Sequence, residues 1–194
     1  MSKPIRSFEY EAATAIEDVF GKKISIEELQ PGDSQAVVGL IRENMREFDQ
    51  EEKVLSTIYR RLENFSYEYS REGSSLYVVK SVLSHEPIAC IGIGSFQGLP
   101  WTERIGEIRD LVVQKNFRSQ GLGQKLLKKI LLKAKELEYK RLYLEISKHM
   151  RVAQKLFGYN GFQPVEHLPK EGYTEKMPCY FLLTDLNSQD LSEA

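Results

Sequence analysis

The second half of the chain contains, in this order, a strand, a short loop, a helix that begins with two closely spaced glycines, and a second strand. Residues Ile105 to Val113 are predicted to form the first strand and Arg141 to Ile146 the second. Between them, Leu122 to Leu137 place apolar residues three and four positions apart with lysines opposite, which predicts an amphipathic helix. Such a unit closes by a right-handed crossover, so the two strands are expected to pair in parallel.

The other predicted elements complete a mixed sheet flanked by helices. Further strands are predicted at Lys23 to Leu29, Leu76 to Leu83, Pro87 to Phe96 and Tyr180 to Leu186, and further helices at Ala36 to Phe48, Glu51 to Phe65 and Arg151 to Tyr159. The turn at Ser84-His85-Glu86 joins two of these strands, which should therefore pair antiparallel. Parallel and antiparallel pairing in one sheet indicate an α/β or α+β fold class.

The chain has the length and composition of one globular domain. Its 194 residues can enclose a sizeable core, and 41% of them are hydrophobic. We assign residues 23–186 to this domain and residues 1–22 to an N-terminal extension with a helix from Phe8 to Phe20. Residues 187–194 are predicted to be a disordered tail.

Charge and composition argue against several classes of partner. A net charge of −1 gives no support for nucleic acid or an anionic membrane as partner. No apolar run approaches the roughly 18 residues of a membrane span, and the N-terminus lacks the apolar stretch of a secretion signal. Cys90 and Cys179 lie far apart, which favours a reducing, cytoplasmic compartment. The three histidines have no metal-ligand spacing, so no metal site is expected.

The loop before the amphipathic helix suits a phosphate group. A helix that begins at the carboxyl end of a strand presents free backbone N–H groups and the positive end of its dipole there. Gly121 and Gly123 would remove side chains that keep a phosphate from the backbone, and Arg118 would add a positive charge. Leu126 stands where a dinucleotide fingerprint needs glycine, and no P-loop motif is present. The alternative, that the glycines only form a tight turn, stays open at this point.

One predicted strand ends with Leu111-Val112-Val113, and the motif R-x-x-G-x-G follows it from Arg118 to Gly123. This combination resembles the acyl-CoA-binding signature of the GNAT superfamily of N-acetyltransferases. Glu107-Ile108 upstream also matches the family pattern. So does Ala153-Gln154-Lys155-Leu156-Phe157 followed by Gly161-Phe162. The resemblance covers roughly residues 23–186.

The resemblance implies a fold and a cosubstrate. The sheet would have about six or seven strands and would splay open beside the strand Leu142 to Ile146 to hold acetyl-CoA. Pantetheine would pair with the edge of the preceding strand, and the pyrophosphate would lie on the amides at the start of the helix. The cofactor-binding residues implied are Leu111, Val112, Val113, Arg118, Ser119, Gln120, Gly121, Leu122, Gly123, Gln124 and Phe157.

Acetyl transfer to an amine also needs a base and a donor to the thioester carbonyl. In the family a backbone amide, here near Val112 or Val113, serves the carbonyl oxygen. Glu107 occupies the position where some members place a glutamate base; the other interpretation is an ion pair with a neighbouring cation such as Arg109.

Strand alternation ranks the carboxylates. With a period of two, Glu107, Arg109, Leu111 and Val113 share one face and Asp110 lies on the other. Asp110 is therefore the weaker candidate base, and Glu145 on the neighbouring strand is the second choice.

The general acid is where the sequence departs from the family. Phe157 stands at the position of a common family tyrosine and cannot donate a proton. Tyr159 would reach the cleft only if the helix ended early at Gly158. His149, next to Met150 at a common asparagine position, is the other candidate, although a lone histidine is often structural.

These features predict an acyltransferase that moves acetyl from acetyl-CoA to a primary amine of an unidentified small molecule or protein, by direct attack in a ternary complex. Near-neutral charge disfavours a strongly anionic acceptor. Dimers are common in the family, so a homodimer is an open expectation. The alternative is a non-catalytic acyl-CoA-binding sensor or regulatory module, which Phe157 and Met150 favour.

Overall fold

The structure is a computed structural model that describes residues 14–17, 23–47, 52–96, 99–146, 150–165, 179–184 and 186. The strands are β1 (Thr14–Glu17), β2 (Lys23–Glu28), β3 (Ser75–Ser81), β4 (Pro87–Ser95), β5 (Ile105–Val113), β6 (Arg141–Ile146), β7 (Gln163–Val165) and β8 (Cys179–Leu183). The α-helices are α1 (Ser34–Met45), α2 (Glu52–Glu63), α3 (Phe65–Ser70), α4 (Leu122–Glu136) and α5 (Arg151–Tyr159).

The eight described strands form one mixed sheet in the order β1-β2-β3-β4-β5-β6-β8-β7. Among them, β5 and β6 are the parallel pair, joined through α4, and the other neighbours are antiparallel. The predicted fold class and the parallel crossover are therefore confirmed. The strand count exceeds the expected six or seven because β1 and β7 were not predicted.

A strand, not the predicted helix, forms the described part of the N-terminal extension. The four residues Thr14–Glu17 pair antiparallel with β2, where Thr14 lies opposite Ile26. An edge strand has unpaired backbone groups, and β1 satisfies those of β2. The helix expected from Phe8 to Phe20 is thus wrong over these residues. Its remainder and the expected tail at residues 187–194 lie outside the described residues.

The segment predicted as one helix from Glu51 to Phe65 is divided into α2 and α3. The division falls at Asn64, whose side-chain amide donates to the carbonyl of Arg60 at 3.0 Å and caps the end of α2. The short α3 then turns Phe65 and Tyr69 into the core. Its aromatic and serine-rich sequence lacks the periodicity that predicts a helix, which is why it was missed.

Helices cover both faces of the sheet. On one face, α4 buries Leu126, Leu127, Ile130 and Leu131 completely against the central strands. Each such side chain contributes about 1.5–3 kcal/mol on burial, so α4 is held firmly in place. On the other face, α1, α2 and α3 pack against β3 and β4. The first turn of α4 is thereby fixed at the carboxyl end of β5.

Candidate functional site

The strands β5 and β6 separate partway along their length. Parallel pairing begins at Ile105 and ends where Ile108 lies opposite Leu144, although β5 continues to Val113. Beyond Ile108, β5 pairs with β4 alone among the described strands. The predicted splay of the sheet is confirmed. It leaves one edge of β5 without a strand partner over several residues, so backbone donors and acceptors on that edge face a cleft.

A β-bulge interrupts β5 where the cleft opens. Two residues of β5, Asp110 and Leu111, lie opposite a single residue of β4, Ile91. Asp110 has φ +56°, in the left-handed region, whereas the rest of the strand has negative φ. A bulge of this kind shifts the alternation of side chains by one residue.

The predicted common face of Glu107, Arg109, Leu111 and Val113 is therefore wrong. Leu111 and Val113 pack against the core beneath α4. Arg109 and Asp110 instead contact residues of α2 and α3 on the opposite side of the sheet. Asp110 thus lies on the same side as Arg109, contrary to the prediction from a regular period of two.

The bulge also decides which backbone amides face the cleft. Gln114 donates its N–H to the carbonyl of Ile88 at 2.8 Å, so Val113, one position earlier, directs its N–H away from β4 and into the cleft. Val112 points towards β4 by the same alternation, so the geometry favours Val113 of the two amides expected to serve a carbonyl oxygen, and that role stays a prediction. The alternation does not extend through the bulge to Leu111. The carbonyl of Asp110, on the same peptide as the Leu111 N–H, accepts from Sγ of Cys90 in β4, so this N–H points away from β4 and is a further donor on the cleft side.

The first turn of α4 presents a second set of free donors. Ser119 and Gly121 adopt left-handed conformations with φ of +61° and +81°. The N–H of Lys125 donates to the carbonyl of Gly121 at 3.0 Å, so the amides of the three residues before Lys125 precede the first helical hydrogen bond. Left-handed residues in such a loop curl successive amides into a concave anion-binding arrangement.

Different physical constraints favour glycine at the two glycine positions of this turn. A Cβ on Gly121 would meet nothing within 4 Å, but its positive φ favours glycine. Gly123 is helical, and a Cβ there would lie 3.4 Å from Cδ2 of Leu156, where α4 and α5 approach each other. The positive φ of Gly121 is thus a reason for glycine that holds without any ligand, and the room that the two glycines leave for a phosphate stays a prediction.

The Arg118 side chain connects the loop before α4 to α1 and to the end of β5. Its Nε donates to the carbonyl of Val113 at 2.9 Å, its Nη1 pairs with Glu47 at 2.8 Å, and its Nη2 donates to Oδ1 of Asn44 at 2.7 Å. The positive charge expected to serve a phosphate is thus already paired. The side chain ties the end of β5 and the loop to α1.

The candidates on α5 do not meet in the cleft. Phe157 is 4% exposed and packs edge-to-face on Phe162 at 5.3 Å between ring centres, so it belongs to the core. The helix continues through Gly158, and Tyr159 is 88% exposed. The early helix end on which a catalytic role of Tyr159 depends is therefore not observed, and that role stays a prediction. His149 lies outside the described residues.

A buried ionic cluster lies behind the bulge. The carboxylate of Asp110, 2% exposed, accepts hydrogen bonds from Arg61 of α2, through Nε at 3.2 Å and through Nη2, and from the hydroxyl of Tyr69 of α3. Burial alone would raise the pKa of Asp110, but the Arg61 guanidinium outweighs it and holds the pKa below its ordinary value. Asp110 is therefore ionised at neutral pH and paired with Arg61, which agrees with its ranking as the weaker candidate base.

Arg109 extends this cluster towards α3. Its Nη2 lies 3.4 Å from Oε2 of Glu68, and its guanidinium lies 5.1 Å from the centre of the Tyr69 ring. Its Nε is buried without a hydrogen-bond partner in the described part of the chain.

Two glycines of β4 mark the position of this cluster in the sequence. Gly92 and Gly94 alternate with isoleucines in β4, and glycines inside a strand often mark a close approach. A Cβ on Gly92 would lie 2.2 Å from the hydroxyl oxygen of Tyr69, and one on Gly94 would lie 2.6 Å from Nη2 of Arg109. The two glycines make room for the cluster over β4.

Glu107 lies at the closed end of the cleft. It is half-buried, opposite Gly94 of β4 and Tyr143 of β6, one residue before the last pair of β5 and β6. Burial lowers the pKa of Arg61, yet the net shift is upward because Asp110 and, to a smaller extent, Glu107 favour the charged guanidinium. Glu107 therefore lies within the field of the arginine pair, on the side of α2 and α3.

Other expectations concern metals and membranes. The described residues contain no group of three or more side chains that could hold a metal ion together. No helix in the described ranges is long and apolar enough to cross a membrane. The cytoplasmic location stays a prediction.

The fold and this cleft define a class of protein: a splayed mixed sheet that offers one free strand edge and an amide-rich helix start to an extended, anionic ligand. Residues 37–162 match the family model described as Acetyltransferase (GNAT) family. This match spans more than half of the chain, which therefore belongs to the GNAT acetyltransferase family. The resemblance drawn from the motifs is confirmed, and members of this family use acetyl-CoA.

Solved structures agree with this assignment of fold. A GNAT-family acetyltransferase of Staphylococcus aureus Mu50 is 19% identical with a TM-score of 0.66, over 82% of this chain and 97% of that one. One from Streptococcus pneumoniae is 21% identical with a TM-score of 0.61, over 82% and 96%. The PaiA N-acetyltransferase of Thermoplasma acidophilum in complex with coenzyme A is 16% identical with a TM-score of 0.65, over 84% and 99%. No curated protein matches the sequence.

Proposed function

We propose that this protein transfers the acetyl group of acetyl-CoA to a primary amine by direct attack in a ternary complex. The observation that carries the proposal is that the free edge of β5 and the amides at the start of α4 border one cleft. The strand edge suits the amide-bearing pantetheine arm, which can pair as an added strand. The helix start suits the pyrophosphate.

Residues of the chain supply the chemistry that this reaction needs. The N–H groups of Leu111 and Val113 face the cleft and can stabilise the oxyanion that develops on the thioester carbonyl. Glu107, at the closed end, is the proposed base that removes a proton from the amine, directly or through one water. The amine nitrogen bonds to the carbonyl carbon as the C–S bond breaks, and the thiolate leaves to solvent.

The acceptor is expected to approach from the side of α2 and α3. Two of the cations on that side are largely covered, since the side chains of Arg61 and Arg109 are 16% and 10% exposed. They are also paired with Asp110 and Glu68. These two arginines give an anionic acceptor little to bind, which favours a neutral or cationic amine of a small molecule or a peptide.

A second function is favoured by α5. Phe157 is buried and cannot donate a proton, and Tyr159 is 88% exposed, so α5 gives little support for a phenol that protonates the leaving thiolate. A protein that binds acetyl-CoA without turning it over, as a sensor or regulatory module, would need no such group.

Calorimetric titration with acetyl-CoA tests the cofactor site. Asparagine and aspartate both tolerate the left-handed conformation of Gly121 and have nearly the same shape, so Gly121→Asn and Gly121→Asp differ chiefly by one negative charge. We expect Gly121→Asp to bind acetyl-CoA at least about tenfold more weakly than Gly121→Asn, because its carboxylate would face the pyrophosphate. Equal affinities would mean that no pyrophosphate lies at this turn. Protein samples must first be checked for copurified coenzyme A.

A panel of amines with detection of released thiol then separates the two functions. Turnover with any amine supports the transferase. Tight binding of acetyl-CoA with no thiol release across small amines and amine-bearing peptides would support the sensor instead.

A further inference from the structure

Asp110 adopts a conformation that a strand residue rarely adopts. Among the described non-glycine residues with positive φ, it is the one inside a strand, at +56°. A left-handed conformation costs most residues with a side chain about 1–2 kcal/mol, and aspartate less, because its short polar side chain can form local hydrogen bonds. The partners of the Asp110 side chain are therefore the contacts that bear on how firmly this bulge is held.

Side chains from two helices, α2 and α3, contact Asp110 at the bulge. Arg61 of α2 and Tyr69 of α3 both donate to the Asp110 carboxylate, which is almost completely buried. A buried ion pair usually contributes little net stability compared with apolar residues of similar size, because both charges lose their hydration. Stability alone is thus a weak explanation for placing this pair at the bulge.

The geometry of the next peptide group gives a stronger explanation. Sγ of Cys90 donates to the carbonyl oxygen of Asp110 at 3.2 Å, so this carbonyl is turned towards the Cys90 side chain of β4. The peptide bond is trans and planar, and the N–H of Leu111 on the same peptide therefore points away from Cys90 and β4, on the side where the cleft lies. A regular strand without the bulge would place a different set of amides there.

We propose that Asp110 is a positioning residue, which with Arg61 and Tyr69 holds the β5 bulge so that the Leu111 N–H is aimed at the thioester carbonyl oxygen. This inference rests on the proposed acetyl transfer. Asp110 touches neither substrate nor cosubstrate and acts through the backbone amide of its neighbour. The arrangement also links the packing of the two acceptor-side helices to the direction of that amide.

The test compares two buried tyrosines that each lose one hydroxyl. Tyr69→Phe removes a hydrogen bond to Asp110. Tyr139→Phe is the matched control, because Tyr139 is 4% exposed and donates to the carbonyl of Gly73 at 2.7 Å and not to Asp110. Both variants should fold, and both should lose similar stability.

The readout is the infrared stretch of the thioester carbonyl in bound, carbonyl-¹³C-labelled acetyl-CoA, which needs no amine acceptor. A donor aimed at the oxygen lowers this frequency on binding. We expect Tyr69→Phe to lose a large part of the downshift while keeping its affinity for free coenzyme A within about twofold. Tyr139→Phe should keep the wild-type downshift. Where an acceptor is known, kcat should fall about tenfold for Tyr69→Phe alone.

Two variants of Asp110 itself complete the test. Asp110→Asn keeps the left-handed preference and an acceptor for Arg61, whereas Asp110→Gly keeps only the backbone freedom. The downshift should therefore be larger in the asparagine variant than in the glycine variant. A full downshift in both Tyr69→Phe and Asp110→Gly would overturn the inference. Failure of the wild-type protein to bind acetyl-CoA would instead remove the proposed function on which it rests.

Discussion

Gln124 and Asn160 exchange two side-chain hydrogen bonds. Nε2 of Gln124 donates to Oδ1 of Asn160 at 2.9 Å, and Nδ2 of Asn160 donates back to Oε1 of Gln124 at 3.0 Å. The same Nδ2 also donates to the carbonyl of Leu156 at 2.7 Å. This pair joins the first turn of α4 to the end of α5. The Gln124 side chain is therefore occupied, and its predicted role with the cofactor falls to its backbone N–H.

Replacing Gln124 by alanine should affect folding more than cofactor binding. The variant leaves half-buried amide atoms of Asn160 without partners, so its free energy of unfolding should fall by about 1–2 kcal/mol in urea. The backbone amide stays, so calorimetry should give an acetyl-CoA affinity within about threefold of wild type. Gln120→Ala, which removes a single bond to the carbonyl of Asn116, is the control and should lose less stability. A tenfold loss of affinity at unchanged stability would show that the Gln124 side chain itself binds the cofactor.

The sequence allowed the centre of the fold to be predicted because three signals agreed there. The strand Ile105–Val113, the periodic helix after Gly121 and the strand Arg141–Ile146 each have a strong local pattern, and the crossover rule orders them. The positive φ of Gly121 explains why glycine stands at that turn. Family motifs were then sufficient to place the cleft between the two strands.

The details of the site depended on interactions between residues far apart in sequence. The Asp110 carboxylate at the bulge accepts hydrogen bonds from side chains 49 and 41 residues away, Arg61 and Tyr69. The alternation of side chains in a regular strand contains no information about contacts this far apart in sequence, so the sheet faces predicted for the side chains after Arg109 were wrong. Similarly, the motif shows Arg118 as a cation without a neighbouring carboxylate, but its partner Glu47 lies 71 residues away.

Protonation of Asp110 should make part of the stability depend on pH. Its pKa in the folded protein is held below the ordinary value of about 3.9 that it regains on unfolding. In the window between these values the unfolded chain binds more protons than the folded one, so stability rises with pH there. The contribution is fully present above about pH 4–5 and is lost as the pH falls through the folded pKa.

Urea unfolding of the wild-type protein and of Asp110→Asn from pH 7 to pH 3 measures this contribution. The advantage of the wild type in unfolding free energy should be constant above about pH 5 and should narrow below about pH 4. Other carboxylates titrate in both proteins and cancel in the difference. A gap that does not change with pH would contradict an ionised, arginine-paired Asp110.

Glu107 and Glu145 provide a matched pair for identifying the base. Glu107 lies opposite Tyr143 in the last paired stretch of β5 and β6, and Glu145 lies two residues farther along β6. Alternation places Tyr143 and Glu145 on one face, so both carboxylates border the cleft from the same side of the sheet. Glu107 is at the closed end, next to the amides of β5 that face the cleft.

Glu107→Gln should lower kcat by about 10²–10³-fold with an amine acceptor and leave the calorimetric affinity for acetyl-CoA within about twofold, because glutamine keeps the shape but accepts no proton. Glu145→Gln should retain most of the activity. The loss in Glu107→Gln should also shrink at high pH, where the amine is already deprotonated in solution and needs no base. If the two variants exchange these results, the base is Glu145; if Glu107→Gln loses affinity and kcat together, Glu107 shapes the cleft without acting as the base.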